Sequence, residues 1–247
     1  MSDACFVAPD VAVPVGDLLR LTGPEGRHAA KVRRIGLGES VLVIDGRGQA
    51  VRGPAEEVGA DFITIRVAQT LQEPARATRW VAVQALAKGG RDQQAVEGLT
   101  ELGVDEIIAW GAARSVVRWQ GKVDKGLAKW AATAREAAKQ ARRFSVPLVS
   151  YATTTQVCDR IATTTQAIVL HESAPDWLDT TWTAPEGDVV IIIGPEGGIT
   201  PDELGVFQQA GALVKRIATP VLRTSTAGVV ALAQLQLLAA RDAARPA

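Results

Sequence analysis

The chemistry-bearing residues of this chain gather in a glycine loop, Ile193-Gly194-Pro195-Glu196-Gly197-Gly198-Ile199, which leaves the apolar run Val189 to Ile193. It leads into Thr200-Pro201-Asp202-Glu203, where Thr200 suits an N-cap, Pro201 a first helical position and Glu203 the far end of a capping box. A strand–loop–helix junction is therefore expected. Glycines at 194, 197 and 198 let the backbone come close to a ligand at the carboxyl end of a strand, where α/β sheets bind their ligands. The loop carries Glu196 and matches neither G-x-x-x-x-G-K-[ST] nor G-x-G-x-x-G, so a nucleotide polyphosphate is disfavoured. A phosphate-free adenosine compound with a cationic centre suits it better.

Two further segments should end at the same sheet edge. Leu170-His171-Glu172 follows an apolar strand at 167–170, and residues 219–227, ending Leu222-Arg223-Thr224-Ser225-Thr226-Ala227, lead into the last helix. Ser225 or Thr226 reads equally well as a plain helix cap, and His171 as a plain strand-end histidine. No serine sits in a G-x-S-x-G elbow, so covalent hydrolysis has no support. Cys5, Cys158, His28 and His171 have no ligand-like spacing, and neither a metal site nor a disulfide is expected.

Basic residues are segregated although the total is balanced, with 27 Lys+Arg against 27 Asp+Glu. Residues 73–145 carry 13 basic and 8 acidic side chains, and the flanks compensate. This stretch supplies Lys88, Arg91, Arg114 and Arg118, then Arg135, Lys139, Arg142 and Arg143, which are spaced to share a helix face. Arg27, His28, Lys31, Arg33 and Arg34 crowd a shorter helix opening at Pro24. Each group reads as a solvated face, as cations opposing a helix dipole, or as phosphate-contacting residues. The excess of arginine over lysine, 20 to 7 in the whole chain, favours phosphate contacts and hence RNA.

The elements that must carry these residues fall into two rhythms. Up to residue 72 short strands alternate with turns, at 40–45, 49–52 and 61–68, and suggest a small β-barrel. From residue 76 strands at 80–87, 106–110, 167–170 and 189–193 alternate with helices at 91–102, 122–142 and 226–240. That pattern predicts an α/β domain with a parallel sheet covered on both faces. The 47% hydrophobic and 22% charged composition of the 247 residues excludes a disordered chain. No apolar run is long enough to span a bilayer, and the opening MSDACF lacks a signal peptide's basic residues. A soluble, cytoplasmic protein without a membrane partner is expected.

In this order the motifs resemble the RsmE family of SPOUT-class methyltransferases, which methylate N3 of a uridine in small-subunit ribosomal RNA. The resemblance rests on Gly26-Arg27-His28 to Arg34, Ala87 to Arg91, Thr100 to Val104, Arg114-Ser115, Glu136 to Gln140 with Arg143, Leu170-His171-Glu172, Gly194 to Gly198, and Leu222 to Ala227. It implies a PUA-like β-barrel over residues 1–72 and a methyltransferase domain over 76–247 with a deep trefoil knot. It also implies a homodimer, and a partner that is small-subunit ribosomal RNA or the 30S particle. S-adenosylmethionine would be held by Leu170, His171, Glu172, Gly194, Pro195, Glu196, Gly197, Gly198, Leu222, Arg223, Thr224, Ser225, Thr226 and Ala227. RNA would be met by Arg27, His28, Lys31, Arg33, Arg34, Lys88, Arg91, Arg114, Gln140 and Arg143. The family usually has glutamate where this chain has Ser225, so a polar contact is altered there or supplied by Glu196 or Glu172. Arg223 is the expected stabiliser of charge on the uracil, with His171 or Glu172 as proton acceptor. Competing readings are a SPOUT enzyme acting elsewhere, such as a tRNA ribose hydroxyl, and a non-catalytic RNA-binding assembly factor.

Overall fold

The computed structural model describes residues 3–179 and 181–244; Met1 and Ser2 of the opening segment, Thr180 and residues 245–247 lie outside it. The chain divides into two compact units, Met1–Ala75 with Arg135–Val146, and Arg76–Ala134 with Pro147–Ala247. Residues 135–146 are contiguous in sequence with the second unit's helix but group with the first unit.

The first unit is built on a mixed sheet of β1 (Ala4–Val7), β2 (Leu18–Leu21), β3 (Ser40–Ile44), β4 (Gln49–Val58), β5 (Ile63–Arg66) and β6 (Gln69–Gln72). The order is β1-β3-β4-β5-β2, with β6 pairing β4. β4 runs well past the expected 49–52. Pro54 does not break it, because the β3 ladder ends at the pair Ser40–Pro54 and the β5 ladder starts at Ala55–Ile65. The β3–β4 turn is tied by Asp45, whose carboxylate accepts the amides of Arg47 at 2.7 Å and Gln49 at 2.9 Å. The helix expected from Pro24 is a short α1 (Gly23–Arg27) that continues as a π-helical turn, His28–Val32, closed by the Arg33 amide on the His28 carbonyl.

The second unit is one parallel sheet of β7 (Thr78–Ala85), β8 (Glu106–Trp110), β9 (Leu148–Ala152), β10 (Gln166–Leu170), β11 (Gly187–Ile193) and β12 (Leu213–Lys215), ordered β12-β10-β11-β7-β8-β9. Its helices are α2 (Arg91–Glu101), α3 (Val123–Gln140, whose last turns belong to the first unit), α4 (Thr154–Ala162), α5 (Pro201–Gln209) and α6 (Thr224–Ala243). Period 2 sorts the buried strand residues onto two faces. Val81, Val83 and Ala85 of β7 join Val157 and Ile161 of α4 and Phe207 of α5 in one core. On that side Trp110 and Phe207 meet edge to face at 5.2 Å, and full burial of each contributes roughly 1.5–3 kcal/mol. α2 and α6 pack on each other and on β7. At the amino ends of the strands an ion network joins Arg79 to Glu106 and to Asp188, at 3.1 Å each, and Arg160 to Asp188. The carboxyl ends are left to the loops that carry the chemistry.

Two expected helix boundaries shift. α3 ends at Gln140, and Arg142 takes a left-handed conformation at φ 52° that a helix cannot continue. α6 begins at Thr224, not Thr226, with Arg223 in the N-cap position and no side-chain cap, so neither Ser225 nor Thr226 caps it. The weak, short β1, β2, β6, β9 and β12 are recruited by their sheet partners.

Candidate functional site

At the carboxyl edge of the second unit's sheet lies a cavity of about 630 Å³. Its wall brings together Leu170, His171 and Glu172 after β10, all of Gly194 to Gly198 after β11, and Leu222, Arg223, Thr224 and Ala227 at the entry to α6. Ser225 and Thr226 are not among its lining residues. The reason is helical phase: Thr224 and Ala227 are three residues apart on one face, and the two residues between them turn away.

The glycine loop is held from several directions. The Gly198 amide closes a turn on the Pro195 carbonyl at 2.9 Å with Gly198 at φ 74°, a conformation glycine adopts without a steric penalty. A Cβ on Gly197 would lie 2.9 Å from the Cβ of Arg114, so that glycine permits a close approach. Arg114 then donates to the Gly197 carbonyl at 3.2 Å. Glu196 accepts from Arg91 at 3.1 Å and from the Lys88 amide at 3.2 Å. Burial pushes the Glu196 carboxyl up, but its own amide, Arg91 and the Lys88 amide outweigh that and hold it below its ordinary value. Arg91 and Arg114, expected to meet RNA, are thus engaged on the loop, and Lys88 contributes through its backbone.

Glu203 anchors the other side. It completes the capping box with Thr200 and accepts the Ala113 amide at 2.7 Å, fixing the segment that presents Arg114. Gln84, the one polar residue in the apolar strand run 80–87, is fully buried on the α2/α6 side. It donates to Thr224 Oγ1 at 2.9 Å, and Thr224 donates in turn to the Gly194 carbonyl at 2.6 Å. A polar residue inside a continuous apolar strand was the available signal for Gln84, because a buried amide must find partners.

His171 is half-buried and its Nδ1 accepts the Ser173 amide at 3.2 Å. In the neutral ring the proton therefore resides on Nε2, which can donate but not accept. Glu172 and Arg223 are exposed on the cavity wall. Arg216 lines the cavity too, with its guanidinium carbon 4.2 Å from the centre of the Trp177 ring; neither residue had been singled out in the sequence.

The remaining expected RNA contacts, Arg27, His28, Lys31, Arg33, Arg34, Gln140 and Arg143, belong to the first unit. Arg27, Lys31, Arg33, Arg34 and Gln140 are exposed, and Arg143 is half-buried. His28 is not free: it lies edge-on to Phe6 at 5.9 Å and 3.4 Å from Lys139 Nζ. Lys139 does not join a basic face, being only 4% exposed and paired with Glu25 at 3.2 Å and Glu136 at 3.0 Å. Burial pushes the nearby Cys5 thiol up to about 12, although the Lys139 charge acts against it, which leaves Cys5 a poor nucleophile. Among the described residues no group of three or more His, Cys, Asp or Glu could hold a metal ion, and no helix is long and apolar enough to cross a membrane.

Residues 74–236 match the family model for an RNA methyltransferase domain and residues 21–68 that for an RNA methyltransferase PUA domain. The chain is 40% identical over 238 residues to the ribosomal RNA small subunit methyltransferase E of Mycobacterium bovis, covering 94% of this chain and 91% of that protein. It is 28% identical over 225 residues to the protein of the same name in Bacillus subtilis, covering 87% and 88%. A methyltransferase of Legionella pneumophila solved with its bound cofactor SAM superposes with a TM-score of 0.85 at 26% identity, over 97% of this chain and 99% of that one. The Neisseria gonorrhoeae ribosomal RNA small subunit methyltransferase E, at 24% identity and a TM-score of 0.86 over 96% and 98% of the two chains, shares the fold. With an α/β parallel sheet, a glycine-loop cavity at its carboxyl edge and matches across nearly its whole length, this chain belongs to the ribosomal RNA small subunit methyltransferase E family.

Proposed function

We propose that this protein transfers a methyl group from S-adenosylmethionine to N3 of a uridine in small-subunit ribosomal RNA. The observation that carries the reading is the convergence of residues 170–172, 194–198, 222–224 and 227 on one cavity. The residues present fit such a donor. The volume lies in the range of small-molecule sites, and the loop offers backbone groups and Glu196 instead of a phosphate-binding lysine. Of the fourteen expected donor contacts, Ser225 and Thr226 have the least support, so glutamate's absence at 225 need not disturb the grip.

When bound, the donor supplies an electrophilic methyl group on sulfur. The chain's own residues must align the acceptor, exclude water and deal with the N3 proton. Uridine N3 is a poor nucleophile until that proton leaves, and Arg223, exposed on the cavity wall, is suited to stabilise the negative charge that develops on the uracil oxygens. Glu172 is the better candidate for the proton, because the His171 Nδ1 lone pair is already used by the Ser173 amide. The uridine must leave its stack for N3 to be reached.

Several finer features go with this reading. A deep trefoil knot in the 76–247 domain is supported by the strand order. β12 pairs outside β10, yet the chain returns to pack α6 against β7, while the Asp176 carbonyl accepts the Arg216 amide and the Arg216 carbonyl accepts the Leu178 amide. The 1–72 domain is read as a PUA-like β-barrel that helps hold RNA, on its exposed Arg27, Lys31, Arg33 and Arg34. A homodimer acting in the cytoplasm on ribosomal RNA or the 30S particle completes the proposal.

The deciding experiment compares modified nucleosides in ribosomal RNA from cells with and without this protein. Loss of N3-methyluridine is expected. A lost ribose methylation would move the assignment to another RNA site, and calorimetry showing no binding of S-adenosylmethionine would leave an assembly factor.

A further inference from the structure

Four arginines and two carboxylates, Glu172 and Glu196, line the cavity. Two of the cations are spent on the loop itself, Arg91 on Glu196 and Arg114 on the Gly197 carbonyl. Arg223 stands exposed at the start of α6. Arg216 is different from all three. It follows β12 directly, and its backbone is pinned on both sides, its amide on the Asp176 carbonyl and its carbonyl under the Leu178 amide, at 2.9 Å each. Its guanidinium stacks on Trp177, and its Nε is buried with no hydrogen-bond partner among the described residues.

A buried donor on a cation is costly to leave unmet, and an aromatic face offers charge stabilisation but no lone pair. The stack instead holds the planar fork in place for an acceptor that reaches the cavity. The acceptor cannot be the donor's sulfonium or ammonium group, since both are positive. We propose that Arg216, held by Trp177, receives an anionic oxygen of a bound ligand, either the carboxylate of the methyl donor's amino-acid tail or a phosphate of the RNA strand. This rests on the methyl-transfer reading above and adds a residue to it.

The test uses the full chain with Arg216→Gln, Arg216→Lys and Trp177→Leu. Three probes are titrated: S-adenosylhomocysteine, 5′-methylthioadenosine, which lacks the amino-acid tail, and a uridine-containing single-stranded RNA over a range of salt. If the carboxylate is the source, Arg216→Gln weakens S-adenosylhomocysteine at least about tenfold and leaves methylthioadenosine unchanged. If a phosphate is the source, both small molecules bind as before and the slope of log affinity against log salt for RNA falls by about one. In either case Arg216→Lys recovers part of the loss and Trp177→Leu shows a smaller loss of the same kind. A purely structural pairing would weaken both adenosine compounds alike, and that result overturns the proposal. So does unchanged binding of all three probes. Should Arg216→Gln fail to fold, Trp177→Leu and Arg216→Lys carry the same comparison. A wild-type protein that binds neither adenosine compound sinks the methyl-transfer reading itself, and this inference with it.

Discussion

The Thr224 hydroxyl donates to the Gly194 carbonyl at 2.6 Å and so joins the first turn of α6 to the loop after β11. The same hydroxyl oxygen accepts from the buried Gln84 amide at 2.9 Å, making a three-residue clasp beneath the cavity. The orientation of the amide follows: a carbonyl can only accept, so Thr224 must donate there, and Gln84 must offer Nε2.

Replacing Thr224 by valine keeps the shape and removes both bonds. A buried carbonyl and a buried amide hydrogen would then lack partners, at a cost of about 1–3 kcal/mol. Urea unfolding should show that loss, and Thr224→Ser should restore most of it. A Thr224→Val protein as stable as wild type would mean the clasp holds nothing.

Arg223→Ala should lower the single-turnover methylation rate by about a hundredfold or more, with S-adenosylmethionine affinity within a few-fold of wild type. Removing one preorganised charge-stabilising group has effects of this order. Unchanged turnover would reject the role given to Arg223.

The Glu196 carboxyl has its folded value below the ordinary 4.5, so it binds its proton less readily in the folded protein. Its contribution is therefore complete above 4.5 and is lost as pH falls through the lower folded value. The melting-temperature difference between wild type and Glu196→Gln should stay constant from pH 8 to 5 and shrink below 4.5. A difference that already shrinks between pH 7 and 5 would assign the effect to another group.

In the first unit, Lys139→Met strips the half-buried Glu25 carboxylate of its 3.2 Å partner and leaves it Arg135 at 3.6 Å and the Val7 amide at 3.3 Å. Breaking a buried pair from one side costs about 3 kcal/mol, read as a lower denaturation midpoint. Combining it with Glu25→Gln should recover much of the loss. If the double variant is no better than the single one, the pair is not what holds this cluster.

Local sequence determined much of this protein. The apolar runs at 80–87 and 189–193 could only be buried strands, the Thr200–Glu203 spacing could only open a helix, and Gly194 to Gly198 declared a close backbone approach. These features depend on neighbours within a few residues, and hydrophobic period and capping chemistry report them directly. Short strands such as Leu213–Lys215 left no such mark, because their partners lie far along the chain and the pairing supplies their stability. Only tertiary structure decided which charges were free. Arg91 and Arg114 were drawn onto the glycine loop, Lys139 was buried between two glutamates, and Arg216 was set on Trp177. A charge shows in the sequence as an identity, but its role depends on partners 83 residues away for Arg114 and 114 for Lys139, and no local pattern records those distances.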